Sequence, residues 1–237
     1  MYEHILSHVK REGKREACGV IIDNFKFIPC RNIHHDPCNF FDIHPDDLIA
    51  AEDCGDITAI VHSHPNGNEY LSCGDRIAQL QSGIEWWVVC DNSIYKYRPV
   101  PRLLGRKFEH GFLDCYSLFR DAYHLAGINL DDFERSDNWW NGSEELYLKN
   151  MEAQGFYQVD AALVGDVILM CLGSQRANHS AIYTGDQHIL HHAPGRLSKR
   201  DVYGGFWVKH THSIWRHNQW LNSAWVGICE DLEKTLN

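Results

Sequence analysis

Long apolar runs are missing from this 237-residue chain, and no stretch approaches the ~20 consecutive apolar residues of a membrane-spanning helix. A basic stripe is missing too. With 22 Lys and Arg against 32 Asp and Glu, the formal charge is −10, and Lys199-Arg200 is the nearest thing to a basic cluster. Nucleic acid is therefore not an expected partner. No Cys-x-x-Cys pair occurs among the nine cysteines, which excludes the usual thiolate zinc and dithiol redox motifs. The start, Met1-Tyr2-Glu3-His4, lacks a basic-then-apolar export signal, so folding in the cytoplasm with reduced thiols is expected. What is present is a globular composition, 44% apolar, with an unusual sixteen histidines.

Periodicity gives a coarse map. Ile5, Leu6 and Val9 predict a helix over 2–11 that Gly13 ends. Cys18 to Ile22 and Phe25 to Ile28 read as a hairpin turned at Asp23-Asn24. A helix opens at Pro45, a buried strand over 57–61 delivers His62 at its end, and Ser72 caps a helix reaching about Leu80. Trp86 to Cys90 and Ile94 to Tyr97 form a second hairpin. The pair Trp86-Trp87 points to opposite faces of its strand, with core the favoured reading for most tryptophans. Arg98-Pro99-Val100-Pro101-Arg102 carries two prolines and no apolar period, which places a linker at 99–105 between domains at 1–98 and 106–237. Beyond it, Cys115, Leu118, Phe119, Ala122, Leu125 and Ala126 form one helical face closed by Gly127. A turn at 139–142, a helix over 144–155, a strand over 167–172, a hairpin of 179–184 with 188–191 about Gly185-Asp186, and a strand or two in the aromatic tail follow.

His62 and His64 lie two apart, so an extended backbone points both to one face. A catalytic zinc needs three protein ligands and one open position. Asp75, on the following helix, can complete that set. A carboxylate outside the ligand shell must handle the proton of the attacking water, and Glu16 is the candidate. Ser72 is a candidate hydrogen-bond donor to the oxyanion. His210-Thr211-His212 repeats the spacing without a helpful carboxylate and reads as two solvated histidines.

His62-Ser63-His64-Pro65 followed by Ser72-Cys73-Gly74-Asp75 resembles the JAMM motif of the JAB/MPN metallopeptidases, and Glu16-Ala17-Cys18-Gly19 resembles that family's upstream glutamate segment. The resemblance spans roughly residues 1–98. It implies zinc on His62, His64 and Asp75, Glu16 as general base, Ser72 as oxyanion support, and cleavage of amide or isopeptide bonds. Nothing in the sequence points to ubiquitin.

The second half offers a thiol. Cys115 opens a helix directly after Asp114, where a helix N-terminus lowers a thiol pKa. His179 begins an apolar strand in which a polar residue is otherwise unwelcome. A hairpin symmetric about Gly185 sets His191 across from it, and one folded about Gly185-Asp186 sets His192 there instead. Phe112 to Leu118, Gly165-Asp166-Val167 and Asn178 to Tyr183 resemble the NlpC/P60 cysteine peptidases, over about 106–200. The resemblance implies Cys115 as nucleophile, His179 as base, His191 as the orienting residue, and cell-wall stem peptides as substrate. Where that family has Cys-Ser-Gly, this chain has Cys115-Tyr116-Ser117. Residues 99–114 contain no tyrosine for the oxyanion, so that partner stays unassigned beside the Cys115 N–H.

The two together imply an α+β chain: a mixed sheet with flanking helices, then a papain-like helix packed on an antiparallel sheet. Their fusion resembles the tail assembly proteins of lambda-like long-tailed phages. That resemblance extends through 105–111, 121–127 and 210–217. It implies a zinc cofactor, other tail tip proteins as partners, bacterial peptidoglycan as substrate, and manufacture in the host cytoplasm with a place at the virion tail tip. The alternative is an assembly factor that keeps inherited peptidase folds without using them.

Overall fold

The computed structural model describes residues 1–136, 139 and 145–233, with the side chains of Cys229, Glu230 and Glu233 left aside. The expected turn at 139–142 and the start of the helix at Glu144 lie largely outside the described residues. The chain divides into two compact units, Met1–Val100 and Pro101–Asn237. The chain is α+β, with a mixed sheet in the first unit and an antiparallel one in the second.

The first unit runs α1 (Tyr2–Glu12), β1 (Cys18–Ile22), β2 (Lys26–Cys30), α2 (Pro45–Glu52), β3 (Ile57–Ser63), α3 (Cys73–Ser82), β4 (Glu85–Cys90) and β5 (Ser93–Tyr97). Its sheet has the order β2-β1-β3-β4-β5, antiparallel throughout except for β3 beside β4. Alternation sorts the side chains to two faces. Ile21, Ala59, Val61, Trp87 and Val89 pack under Ile5 of α1. On the other face Cys18, Val20 and Ile22 meet Ala51 of α2, and Trp86, Val88 and Tyr97 meet Leu71. Trp86 and Trp87 thus do point apart, and both are buried because helices or loops cover both faces. The hairpin turns need left-handed backbone, and Asp23-Asn24 and Asp91-Asn92 supply it with φ between 48° and 65°.

The second unit comprises α4 (Cys115–Leu125), α5 (Leu146–Ala153), β6 (Phe156–Val159), β7 (Val167–Met170), β8 (His179–Gly185), β9 (His188–His191), β10 (Lys199–Val202), α6 (Gly205–Lys209), β11 (Thr211–His217) and α7 (Trp225–Glu233). Its sheet has the order β10-β9-β8-β7-β11-β6. Helix α4 packs on it near β8 and β9. The histidine-rich tail places β11 inside the sheet, between β7 and β6.

Residues 99–105 do not form the free linker that the two prolines suggest. From Pro101 on they are tied into the second unit. Leu103 is buried and its N–H donates to Asp231, while Arg106 donates to the carbonyls of Pro101 and Arg102 and pairs with buried Asp121. Proline lacks an amide donor but keeps a good acceptor, and a buried guanidinium takes advantage of it.

The β8–β9 hairpin also departs from both expected registers. Its turn is Asp186-Gln187, with φ of 47° and 53°, and Ala181 stands across from His191. Gly185 lies in a bulge at the end of β8, with φ of 86°. Neither His191 nor His192 is therefore directly opposite His179.

Candidate active sites

In the first unit, β3 ends beside the start of β1, and its polar residues divide between two tasks. His62 turns toward Phe41, whose ring stacks on it at 4.7 Å. Ser63 points away, and its Oγ accepts the N–H of Ala17 at 2.8 Å. That bond, with Asn32 donating to the Glu16 carbonyl at 3.0 Å, fixes the backbone on which Glu16 sits. Asp75 is placed by α3's own cap. Ser72 Oγ accepts from Asp75 N–H at 3.2 Å, and Asp75 Oδ2 accepts from Ser72 N–H at 2.8 Å.

The same Oδ2 lies 3.4 Å from His62 Nε2 and 3.5 Å from His64 Nε2. The two imidazole nitrogens are 3.0 Å apart. A tetrahedral zinc with bonds of about 2.0–2.1 Å spaces its ligand atoms about 3.3 Å apart. The three donors match that edge length, and His64 donates Nδ1–H to the Asn68 carbonyl at 2.8 Å, which frees its Nε2 as a donor to metal. The residues present fit a zinc ion. Burial would raise the Asp75 carboxyl, but His62, His64 and Ser72 hold it well below the usual carboxylate range. Burial pushes the Glu16 carboxyl up, against the pull of the two imidazoles. Glu16, His64 and Ser72 line one cavity of about 190 Å³, bordered by Cys38 and the loop 65–68. Ser72 Oγ accepts one bond as a cap, and its side chain is also hydrogen-bonded to the Asp75 carboxylate.

In the second unit, Asp114 caps α4, accepting Ser117 N–H at 2.9 Å, so that Cys115 is the first helical residue. The helix start does not lower this thiol as expected. Burial raises the Cys115 pKa, and the neighbouring Asp114 carboxylate adds to the rise. The sulfur meets Tyr147 Oη of α5 at 3.1 Å, and Tyr147 Oη meets Ser180 Oγ at 3.2 Å. Cys115, Tyr147 and His179 share the wall of a cavity of about 430 Å³ with Asp114, Arg135 and Trp139. His179 Nε2 is 3.3 Å from His191 Nδ1, a diagonal contact across the strand pair. Trp207 of α6 stacks on His179 and meets His191 edge-on at 4.4 Å. Burial and then His191 push His179 down to about 3, while burial pushes His191 down to about 4. The resting pair is thus a neutral thiol and a neutral imidazole.

Residues 1–100 match the prokaryotic homologs of the JAB domain, and residues 105–216 match the NlpC/P60 family. The tail tip assembly protein K of Escherichia phage lambda is 55% identical over 190 residues, 79% of this chain and 96% of that protein. The chain belongs to the tail tip assembly protein K family. Tail tip assembly protein K of Escherichia phage N15 is 33% identical over 90% of this chain and 92% of its own length. Among solved structures, a Desulfitobacterium hafniense protein reaches a TM-score of 0.33 at 18% identity, over 41% of this chain and 86% of that one, too slight a likeness to bear on the fold.

Within this tail tip assembly protein K family member, His62, His64 and Asp75 converge on one point, with Glu16 and Ser72 on the adjoining cavity. Cys115 and His179 share a second cavity, and His191 stands behind His179. His210-Thr211-His212 forms no metal cluster among the described residues. Sequence reasoning missed three contributors: Tyr147, Trp207 and Ser63. Tyr147 lies 32 residues beyond Cys115, on a different helix. A local search around a nucleophile does not reach it. Ser63 had a readable signal, since a residue between two same-face ligands must point to the other face.

Proposed function

We propose that this chain is a phage tail tip protein with peptidase chemistry in both units, used in tail assembly, in cell-wall penetration, or in both. Other tail tip proteins are its partners, and the stem peptides of bacterial peptidoglycan are the substrate of the second unit. The protein is made in the host cytoplasm and reaches the virion tail tip. The observation that carries this reading is the shared cavity of Cys115 and His179, with His191 at 3.3 Å behind the base.

The chemistry runs on these residues. His179 takes the proton of the Cys115 thiol as sulfur attacks the scissile carbonyl. The oxyanion forms near the Cys115 N–H at the start of α4 and near Tyr147 Oη, both donors at the attacking atom. Collapse expels the amine, which receives the proton from His179, and water then hydrolyses the thioester. The resting Cys115 is neutral, so proton transfer is completed only with substrate in the cavity.

In the first unit, His62, His64 and Asp75 would hold zinc, which when bound supplies a Lewis acid that acidifies water and polarises a carbonyl. Glu16, with its raised pKa, accepts a proton and passes it to a leaving amine. Ser72, on the wall of the same cavity, turns its hydroxyl from Asp75 to donate to the developing oxyanion.

A second reading has its own observation: the thiol bonds to Tyr147 and is held neutral, as suits an assembly factor that no longer turns over. Digestion of purified cell wall by the intact protein and by Cys115→Ala separates the two. Loss of digestion in the variant supports the enzyme. Equal digestion excludes Cys115 as nucleophile, and no digestion by either favours the assembly factor. Phage production with each variant supplied in trans then separates assembly from penetration: missing tails mark the first, normal tails with poor infection the second.

A further inference from the structure

The polar chain of the second unit continues past His191. His191 Nε2 is buried and has no hydrogen-bond partner among the described residues. It faces Asp201 Oδ2 at 3.7 Å. Strand β10 sets this up: Lys199 pairs directly with His191, and Asp201 stands two positions on, opposite Ile189, on the same face. Lys199 Nζ reaches the same oxygen at 2.7 Å and keeps the carboxylate ionised.

We propose that Asp201 is a positioning residue that sets the tautomers of both site histidines. A neutral imidazole carries one N–H, and the nitrogen that holds it is decided by the partner of the other. A carboxylate facing Nε2 holds the proton of His191 there. Its Nδ1 then has only a lone pair, and the atom 3.3 Å away is His179 Nε2. That nitrogen must donate, so it carries the proton of His179. The nitrogen left with a lone pair is His179 Nδ1, and it is the atom able to accept the thiol proton of Cys115. Without Asp201, no other group among the described residues engages His191 Nε2 to favour this order. The reversed order places Nδ1–H on His191 and the lone pair of His179 on Nε2, where it is spent on His191. The base then offers the thiol an N–H rather than an acceptor.

The inference rests on the reading of Cys115 as nucleophile and His179 as base. The charged and titratable groups facing the two imidazoles are Lys199 and Asp201 on β10, His192 next along the chain after β9, and Asp114 at the start of α4. Helix α6 contributes the Trp207 ring.

The test uses the full chain and a probe that needs no substrate. Alkylation of Cys115 by iodoacetamide is followed across pH by peptide mass mapping, in the unmutated protein, Asp201→Asn and Asp201→Glu. Asp201→Asn offers both a donor and an acceptor, so it removes the tautomer bias while keeping the shape. We expect Cys115 alkylation to slow roughly tenfold or more, with its pH profile displaced upward, and Asp201→Glu to recover part of the loss. Nitrogen-15 shifts of the site histidines should show the proton leaving His191 Nε2 in Asp201→Asn. Unchanged alkylation and unchanged tautomers in Asp201→Asn would overturn the inference. Should the unmutated protein fail to digest cell wall while Cys115 alkylation still follows Asp201, the peptidase reading fails and the tautomer assignment stands.

Discussion

Asp114→Asn should weaken the second unit without disturbing the cap of α4. The side chain has two duties. Oδ1 caps the helix through Ser117 N–H, and Oδ2 pairs with Arg135 Nε at 2.7 Å while accepting Gly111 N–H at 3.0 Å. Both members of the ion pair are nearly sealed from water, at 3% and 2% side-chain exposure. Breaking a buried pair from one side costs about 3–5 kcal/mol, because the remaining charge stays buried. Arg135 keeps Asp132 at 2.9 Å, so the lower end, about 3 kcal/mol, applies. Asparagine caps as well as aspartate, so Asp114→Ala should lose about 1 kcal/mol more. A change of about 3 kcal/mol raises the opening equilibrium roughly a hundredfold. Hydrogen exchange reads this in peptides from residues 101–136, with peptides from residues 1–100 as internal control. The sign of the pH effect follows from the carboxyl. Burial would raise Asp114, but Ser117 N–H and Arg135 outweigh it and depress the pKa. A depressed carboxyl contributes stability that is complete above its unfolded pKa of about 3.9 and lost as pH falls through the lower folded value. The gap between the unmutated protein and Asp114→Asn should therefore close in acid. An opening equilibrium within about threefold of the unmutated protein at neutral pH would refute the argument, as would a gap that persists in strong acid.

Three further outcomes are expected. The purified protein should carry about one zinc per chain, lost in His62→Ala and Asp75→Ala, and metal analysis finding none in the unmutated protein removes the metallopeptidase assignment. Ser63→Ala should cut first-unit hydrolysis by loosening the Glu16 segment, at about 1 kcal/mol, while zinc stays bound; loss of metal in this variant would contradict the division of tasks along β3. Gly165→Ala should destabilise the second unit by about 2 kcal/mol, the scale of a core overpacking change, since φ is 95° there and the added Cβ meets the Trp220 ring; an unchanged unfolding midpoint would be the refuting result.

What the sequence made legible depended on range. Asp23-Asn24 and Asp91-Asn92 are turns that announce themselves, because those residues tolerate left-handed backbone. The third hairpin misled because Gly185 is the residue expected in the turn. The chain instead places it in the bulge and gives the turn to Asp186-Gln187. The convergence of His62, His64 and Asp75 was readable from a strand spacing and a helix cap, both local. Tyr147 and Asp201 were not, since each reaches its partner through packing of separate elements. The helix-start argument for Cys115 failed on magnitude: burial of the thiol outweighs the partial charge of one helix end.

The hairpin that carries His179 and His191 counts residues in pairs. His191 shares a face with His179 because it pairs with Ala181, two residues along β8, and the Asp186-Gln187 turn sets that register. Deleting or adding one residue in that turn would turn His191 to the other face, away from His179. Length changes of two would keep the arrangement. Variation among related chains at this turn is thus expected to keep parity, as does any loop graft meant to preserve the site.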